Sequence, residues 1–422
     1  MFFLKKIRAY LKKLGPGFIT GASDDDPSGI ATYSQTGAQF GYNQLWTAPF
    51  SFPFMVSVQE MCGRIGMVTG KGLAGVIKKY YSKKVLYFCV LILFLANTIN
   101  IGANLGAMAS SAQLIFGLPF FVWLIIITLV CLLLEIFVSY DNYSRILKYL
   151  TFSLFAYIIG AFFIKQDWAL VFKSTIIPTF SFSEEYLLNI VAILGTTISP
   201  YLFFWQAGEE VEEEVEKHKI RSMGAGIPRV TKIDLKDMRL DTLIGMFFSN
   251  LVMFFIILTT GSSLSSIGIN DINSATDAAI ALRPIAGNFA YLLFAFGVIG
   301  TGLLAVPVLA GSSSYAISET FGWKEGLYRK YNKALGFYGV IALGTLIGLF
   351  INILPIPPFK LLYYTAVLNG LSAPILLFII MLIANNKIIM GKNVNGKISN
   401  FFGWTITFIM GICGLALIAT LF

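Results

Sequence analysis

The stretch GASDDDPSGI, residues 21–30, decides how this chain is read. It sets Asp24, Asp25 and Asp26 side by side inside an apolar run of membrane-spanning character, and it follows them at once with Pro27 and Gly29. A charge at bilayer depth costs at least roughly 2.5–3.5 kcal/mol. Proline removes a backbone donor and blocks the preceding turn. Unwound backbone at that depth is tolerated only where it is buried in protein or lines a cavity. Acids beside such a break, with free carbonyls and half-helix ends, make a cation site. The plainer reading is a proline kink whose acids are neutralised by neighbours.

The composition sets the frame. Of 422 residues, 56% are apolar and only 13% charged, where a soluble domain carries roughly 25% charged. Mean hydropathy is +0.76. Apolar runs of spanning length recur from end to end, so residues 1–422 read as one transmembrane domain. The basic N-terminus MFFLKKIRAYLKK leads straight into the first span, and no cleaved signal peptide is expected. The net charge of +9 is distributed as membrane topology rather than as a nucleic-acid surface. Cys62, Cys89, Cys131 and Cys413 lie in or beside apolar spans without CxxC spacing, which reads as buried thiols.

Eleven spans are predicted, near 16–40, 45–62, 85–112, 118–138, 144–164, 187–208, 241–263, 286–315, 335–353, 361–385 and 400–421. With the N-terminus cytoplasmic, 27 of the 31 Lys and Arg residues fall on inside segments; only Lys165, Lys173, Arg283 and Lys360 fall outside. That bias supports the span count and the orientation together, and it puts the C-terminus outside. Two spans are abnormal. Span 1 is interrupted at Asp26-Pro27-Ser28-Gly29, and span 6 at Ser199-Pro200. They occupy matching positions if residues of about 16–164 and 187–385 are two five-span repeats, with 400–421 as an addition. Broken helices in matching positions point to a transporter site at the bilayer midplane, and an odd number of spans per half makes the repeats inverted.

Asp26, at the break, is the expected metal ligand; Asp24 and Asp25 point elsewhere while the helix lasts and could line the entrance or hold water, with direct contact by either of them left open.

At these residues the chain resembles the Nramp family of divalent-metal transporters. GPGFITGASDDDP matches the family's opening, in which GPGF precedes DPGN by the same spacing. FGYNQLW at 40–46 is similar to the family's start of span 2, and Gln59 with GRIGMVTGKGLA at 63–74 to its following loop. The resemblance covers all eleven spans. It implies an all-α, LeuT-like architecture with the metal held between broken helices 1 and 6.

The departures carry information. DPGN becomes DPSG, so Gly29 replaces the family's metal-binding asparagine. The family's methionine, proline and histidine in span 6 become Ser199, Pro200 and Tyr201, and a second family histidine falls at Gln206. The family's span-3 acids, linked to proton transfer, align roughly with Ile99 and Ala103; only Asn97, Asn100 and Asn104 lie nearby. Span 9 lacks the family's frequent arginines. These departures resemble the branch of Nramp-related magnesium transporters. Loss of a thioether disfavours soft metals, while carboxylates, carbonyls and water suit Mg²⁺ and Mn²⁺. Mg²⁺ keeps several waters and takes one or two carboxylates, and Gly29 and Ser199 leave room for a partly hydrated ion. The expected ligands are Asp26, Ser199 and free carbonyls near Thr196 and Thr197.

Several further residues admit two readings. Asn369, in span 10 before Pro374, binds the ion or its water, or bonds another helix. Asn97, Asn100 and Asn104 line a path or tie helices. Glu209, Glu210, Glu212, Glu213, Glu214 and Glu216 gather cations at the inner mouth, or form a solvated helix face paired with Lys217 and Lys219. Glu135 reads as a structural partner of Arg145, and His218, the lone histidine, excludes an intramembrane histidine zinc site.

The expected function is import of Mg²⁺, and also Mn²⁺, without proton coupling and without a resident cofactor. The alternative is a proton-coupled Mn²⁺/Fe²⁺ importer. A sodium-coupled amino-acid carrier conflicts with Asp26, which repels a substrate carboxylate. An intramembrane enzyme lacks HExxH, GxSxG or an intramembrane histidine. The metal ion and the bilayer are the expected partners; nucleic acid and an obligatory protein partner are not expected.

Overall fold

The computed structural model describes residues 15–138, 155–164, 166–265, 268–283 and 287–420. Among the described residues, helices lie at every predicted span position. Span 1 is α1 (Pro16–Asp24) and α2 (Pro27–Phe40), and span 2 is α3 (Thr47–Thr69). After the short α4 (Leu73–Tyr80) come span 3, α5 (Lys83–Phe116), and span 4, α6 (Phe120–Phe137). The described part of span 5 is α7 (Phe155–Phe163), followed by α8 (Trp168–Ile176). Span 6 is α9 (Glu184–Thr197) and α10 (Pro200–Glu216), and span 7 is α11 (Lys232–Ser263). The short α12 (Ala275–Ile280) precedes span 8, α13 (Ala290–Phe321). Spans 9 to 11 are α14 (Leu335–Ile351), α15 (Pro358–Asn385) and, after α16 (Lys387–Met390), α17 (Lys397–Thr420). Among the described residues, seven segments are long and apolar enough to cross a membrane on length and composition alone.

The breaks lie earlier than the sequence reading placed them. In span 1 the chain leaves the helix at Asp25 and Asp26, while Ser28 and Gly29 are already helical. The reason is Pro27, which takes the first helical position, where its missing N–H costs nothing. Asp26 becomes the N-cap of α2 and accepts from the Gly29 amide. Span 6 repeats the device: Ser199 is the N-cap position and Pro200 opens α10. Each proline therefore starts a half-helix instead of interrupting one.

Span 2 runs past its predicted end at residue 62 to Thr69, because Arg64 and Glu60 pair at 3.0 Å one turn apart inside the protein. Gly70 then ends it in the left-handed conformation. The first fourteen residues and Arg145, the proposed partner of Glu135, lie outside the described residues. Glu135 is buried and receives a long contact, 3.4 Å, from the Thr345 hydroxyl.

The broken helices sit in the interior. The α1 half lies on α11 with backbone against backbone: a Cβ on Gly21 would fall 2.3 Å from the Gly245 carbonyl carbon. Spans 3 and 8 are joined by Asn97, whose Nδ2 donates toward the Leu309 carbonyl (3.1 Å) and the hydroxyls of Ser312 (2.8 Å) and Ser313 (2.9 Å). Of the two readings of Asn97, the tie between helices is the observed one. By contrast, α6 turns Phe121, Ile125, Leu129 and Leu133 outward, a large exposed apolar face suited to lipid.

Candidate cation site

Asp26 is the N-cap of α2, so its carboxylate lies at the start of a helix, where N–H groups and the helix dipole favour negative charge. Its Oδ1 accepts from the Ser28 hydroxyl at 2.5 Å and the Gly29 amide at 2.9 Å. Its Oδ2 accepts from Asn104 Nδ2 of span 3 at 3.3 Å. Asn104 is itself held by the Asn100 carbonyl at 2.9 Å, and Asn100 Oδ1 accepts from the Thr365 hydroxyl of span 10. Four spans thus converge on this carboxylate, because Ser28 also lies 3.5 Å from the Thr196 hydroxyl of span 6.

Asp24 and Asp25 face another way, as the helical spacing required. The Ser249 hydroxyl of span 7 lies 2.6 Å from Asp24 Oδ2 and 3.3 Å from Asp25 Oδ1. Asp24 Oδ1 is buried with no hydrogen-bond partner among the described residues. All three aspartates are buried, Asp25 with 6% of its surface exposed. Among the described residues none of these three buried carboxylates is paired with a Lys or Arg, so their charge calls for compensation by cations or by protons.

Gly29 leaves space where a side chain would enter. A Cβ there would sit 3.2 Å from the Asp24 carbonyl oxygen and 3.5 Å from the Thr196 hydroxyl. Across the gap, Ser199 donates back toward the carbonyls of Gly195 (2.8 Å) and Thr196 (2.7 Å). The Thr196 carbonyl expected to be free is therefore occupied on one lone pair. This is a correction to the sequence reading, and its cause is the short hydroxyl at the break, which caps the end of α9 locally. Thr197 turns its hydroxyl to the Ile193 carbonyl at 2.8 Å, within its own helix. Asn369 is buried, and neither its oxygen nor its nitrogen finds a partner among the described residues. The helix-bonding reading of Asn369 has no contact behind it.

The residues standing where the Nramp resemblance places histidines, Tyr201 and Gln206, are structural ties. Tyr201 donates to the Ser23 carbonyl at 3.0 Å. Gln206 accepts from the Thr20 hydroxyl at 2.5 Å and donates to Glu210 at 2.8 Å. Both links hold half-helix α1 to half-helix α10. A third link is Asp241 of span 7, whose carboxylate accepts from the backbone amides of Gly15 (3.1 Å), Gly17 (2.8 Å) and Phe18 (3.2 Å) at the start of α1.

The acidic run in the second half of α10 fits neither of its sequence readings completely. Glu213 pairs with Lys217 at 2.9 Å and Glu214 with Lys219 at 3.0 Å, as a solvated face would. Glu210, Glu212 and Glu214 are nonetheless buried. Glu212 accepts from the Leu327 amide at 3.0 Å and the Tyr328 amide at 2.5 Å, and from the Tyr315 hydroxyl. It is a cap for the 327–328 turn.

Sequence reasoning missed Ser249 and Asp241. The available signal was the polar pair Ser249-Asn250 in the middle of apolar span 7, and an acid near its N-terminal end.

The family model for natural resistance-associated macrophage protein-like (Nramp) proteins matches residues 17–420. The chain belongs to the Nramp family. A relative, the divalent metal cation transporter MntH of Mycobacterium leprae (strain TN), is 24% identical over 410 residues, covering 96% of this chain and 91% of the relative. Among solved structures, the Eremococcus coleocola manganese transporter, in complex with an aromatic bis-isothiourea substituted compound, superposes with a TM-score of 0.77 at 17% identity, covering 97% of this chain and 86% of that one. Mhp1, a nucleobase-cation-symport-1 family transporter in a closed conformation with bromovinylhydantoin bound, gives 0.59 at 12% identity, over 96% and 90% of the two chains. The fold is therefore LeuT-like, all-helical and membrane-embedded.

Proposed function

We propose that this protein is a transporter of divalent metal cations that carries Mg²⁺ and also Mn²⁺ by alternating access, without proton coupling. The observation that carries the reading is Asp26: a buried carboxylate at a helix break, surrounded by oxygen and amide groups. In this reading Asp26 and Asn369 supply ligands, with Ser199, Thr196 and Thr197 at the span-6 break and Asp25 through water. Gly29 contributes room. Hard oxygen donors suit Mg²⁺ and Mn²⁺, and a widened site suits an ion that keeps part of its hydration shell.

Uncoupled transport follows from what stands in place of the family's proton groups. Tyr201 and Gln206 are engaged in ties between half-helices, and span 3 offers amides. A divalent ion moving inward then draws on its own gradient and on the membrane potential, about 2.3 kcal/mol per charge per 100 mV. We place the protein in the plasma (inner) membrane, with the N-terminus cytoplasmic and the C-terminus outside, on the distribution of Lys and Arg. The two five-span repeats belong to the same reading, and no enzymatic step is part of it.

A second reading is proton-coupled Mn²⁺/Fe²⁺ import, favoured by the names of the relatives, one a divalent metal cation transporter and one a manganese transporter. One experiment separates the two. Purified protein in liposomes is given Mg²⁺, Mn²⁺, Ca²⁺ or Fe²⁺ at clamped potential, with a pH-sensitive dye inside. Mg²⁺ uptake without acidification is expected. Internal acidification that tracks metal uptake at a fixed ratio overturns the uncoupled mechanism, and exclusion of Mg²⁺ overturns the magnesium assignment.

A further inference from the structure

A charged cavity lies away from the aspartates of span 1, lined by residues of the loop after span 2 and the end of span 8. Its volume is about 550 Å³, within the range of small-molecule sites. It lies between the start and last turn of α4, the 223–225 turn and the end of α13. Lys71, Lys78 and Lys79 line it together with Trp323, Glu319 and Glu325.

The two acids do not cancel the lysines. Glu319 is spent on backbone: it accepts from the Gly72 amide at 2.6 Å and the Gly75 amide at 2.8 Å, fixing the start of α4 to the end of α13. Glu325 is 8% exposed, and its Oε2 has no hydrogen-bond partner among the described residues. Burial, with Glu319 and Glu212 nearby, pushes its carboxyl up to about 10. At neutral pH it is a neutral acid that can donate an O–H. Burial also raises the Glu319 carboxyl, to about 7, so the cavity carries three ammonium groups against at most one ionised carboxylate. Lys71 Nζ donates to the Gly224 carbonyl and Lys78 Nζ to the Glu319 carbonyl, each at 3.0 Å. An ammonium has three donors, so each keeps two for a ligand.

The rim has the character of a membrane surface. Trp323 stacks on Phe321 with centroids 5.2 Å apart, and both rings are exposed. Tryptophan at such a position sits at headgroup level. Lys79, Lys83 and Lys84 are exposed beside it along the sequence KKYYSKK at 78–84. Basic pockets next to transmembrane helices take the headgroups of anionic lipids.

We propose that this cavity binds a phosphate group, carried by an anionic phospholipid headgroup or by a soluble phosphate compound, between Lys71, Lys78 and Lys79, with Trp323 against its organic part. The site goes beyond the transport reading and does not depend on which ion is carried. Its occupant bridges α4 and the end of α13, so it ties the loop after span 2 to span 8.

The test is native mass spectrometry of the full-length protein in detergent, titrated with phosphatidylglycerol or phosphatidylcholine. Inorganic phosphate is added in a parallel thermal-shift series. Phosphatidylglycerol is expected to bind the unaltered protein, and the K71Q/K78Q/K79Q variant at least about tenfold more weakly, since each lysine contributes about fivefold. A control, K387Q/K392Q/K397Q, is expected to bind like the unaltered protein. If inorganic phosphate alone responds to the three lysines, the source is soluble and the site stands. Equal binding of the two lipids with no phosphate response overturns the proposal. So does binding of both probes that ignores the three substitutions. Should the triple variant fail to fold, K79Q alone decides: its ammonium lies on the surface over the Tyr80 ring at 5.0 Å, and binding within twofold of the unaltered protein also refutes the site.

Discussion

The hydroxyl of Ser249 lies 2.6 Å from Asp24 Oδ2 and 3.3 Å from Asp25 Oδ1, so a single uncharged group of span 7 organises two of the three buried acids. Asp26 is organised separately, by Ser28, Gly29 and Asn104. The acidic triplet is therefore split between two sets of partners. Ser249→Ala leaves two buried carboxylates without that donor. A hydrogen bond to a charged group contributes about 1.5–3 kcal/mol, so the apparent affinity for the transported ion should change by about tenfold or more. Concentration-dependent uptake into liposomes measures it, and an unchanged half-saturation would show that the Asp24–Asp25 pair plays no part in ion binding.

Asp26→Ala should leave a folded protein that transports little or no metal. The carboxylate is the cap of α2, so a modest stability loss of about 0.5–2 kcal/mol accompanies the change. Asp26→Asn keeps the cap and removes the charge. Loss of uptake in both variants, with the asparagine variant close to normal in thermal stability, is the expected pattern. Robust uptake by the asparagine variant would remove Asp26 from the site.

Selectivity should follow the hardness of the ligands. Ser199→Met together with Gly29→Asn restores the family's thioether and amide. A side chain at position 29 meets the Asp24 carbonyl and the Thr196 hydroxyl at once, so space for water shrinks as softness increases. Uptake of Mg²⁺ should fall relative to Mn²⁺, Fe²⁺ and Cd²⁺ in competition assays. An unchanged ion order in a folded double variant would sever selectivity from these two positions.

Glu325 gives stability a pH dependence of known sign. Its carboxyl is held at about 10 in the fold, by burial first and then by Glu319 and Glu212, against an ordinary value of 4.5. The folded state therefore holds a proton that the unfolded chain releases. Its contribution to stability is fully present below about 4.5 and is lost as pH rises through about 10. Glu325→Gln, which stays neutral, should flatten the decline in thermal stability between pH 5 and 10, a window set by those two values. Identical stability profiles for the two proteins would show that Glu325 is ionised in the fold.

The helices at the predicted span positions were legible because lipid exposure enforces long apolar runs, seven of them long enough to cross a membrane among the described residues, and the two breaks because proline within such a run has few uses. The position of each break was not legible to the residue. Pro27 and Pro200 could end one half-helix or begin the next, and only backbone geometry shows that they begin it. Asp26 could be singled out from its place in the chain. Ser249 and Asp241 stand out locally only as polar residues of an apolar span; their partners lie more than two hundred residues away, and nothing local marks the pairing. The acidic run shows the same limit in reverse. Its charge density suggests solvent, yet Glu212 is turned inward to cap a turn formed by residues 327 and 328.

The contact between Gly21 and Gly245 has a consequence for how this sequence can drift. A single methyl at Gly21 would meet the Gly245 carbonyl carbon at 2.3 Å, far inside any attainable separation of carbon atoms. Alanine, ordinarily the mildest replacement, is therefore already too large at this seam, and so is everything beyond it. The lipid-facing side chains of α6, by contrast, can exchange among Phe, Leu and Ile with little effect. In descendants of this chain, substitutions should accumulate on the outside of the bundle while the seam between α1 and α11 stays glycine.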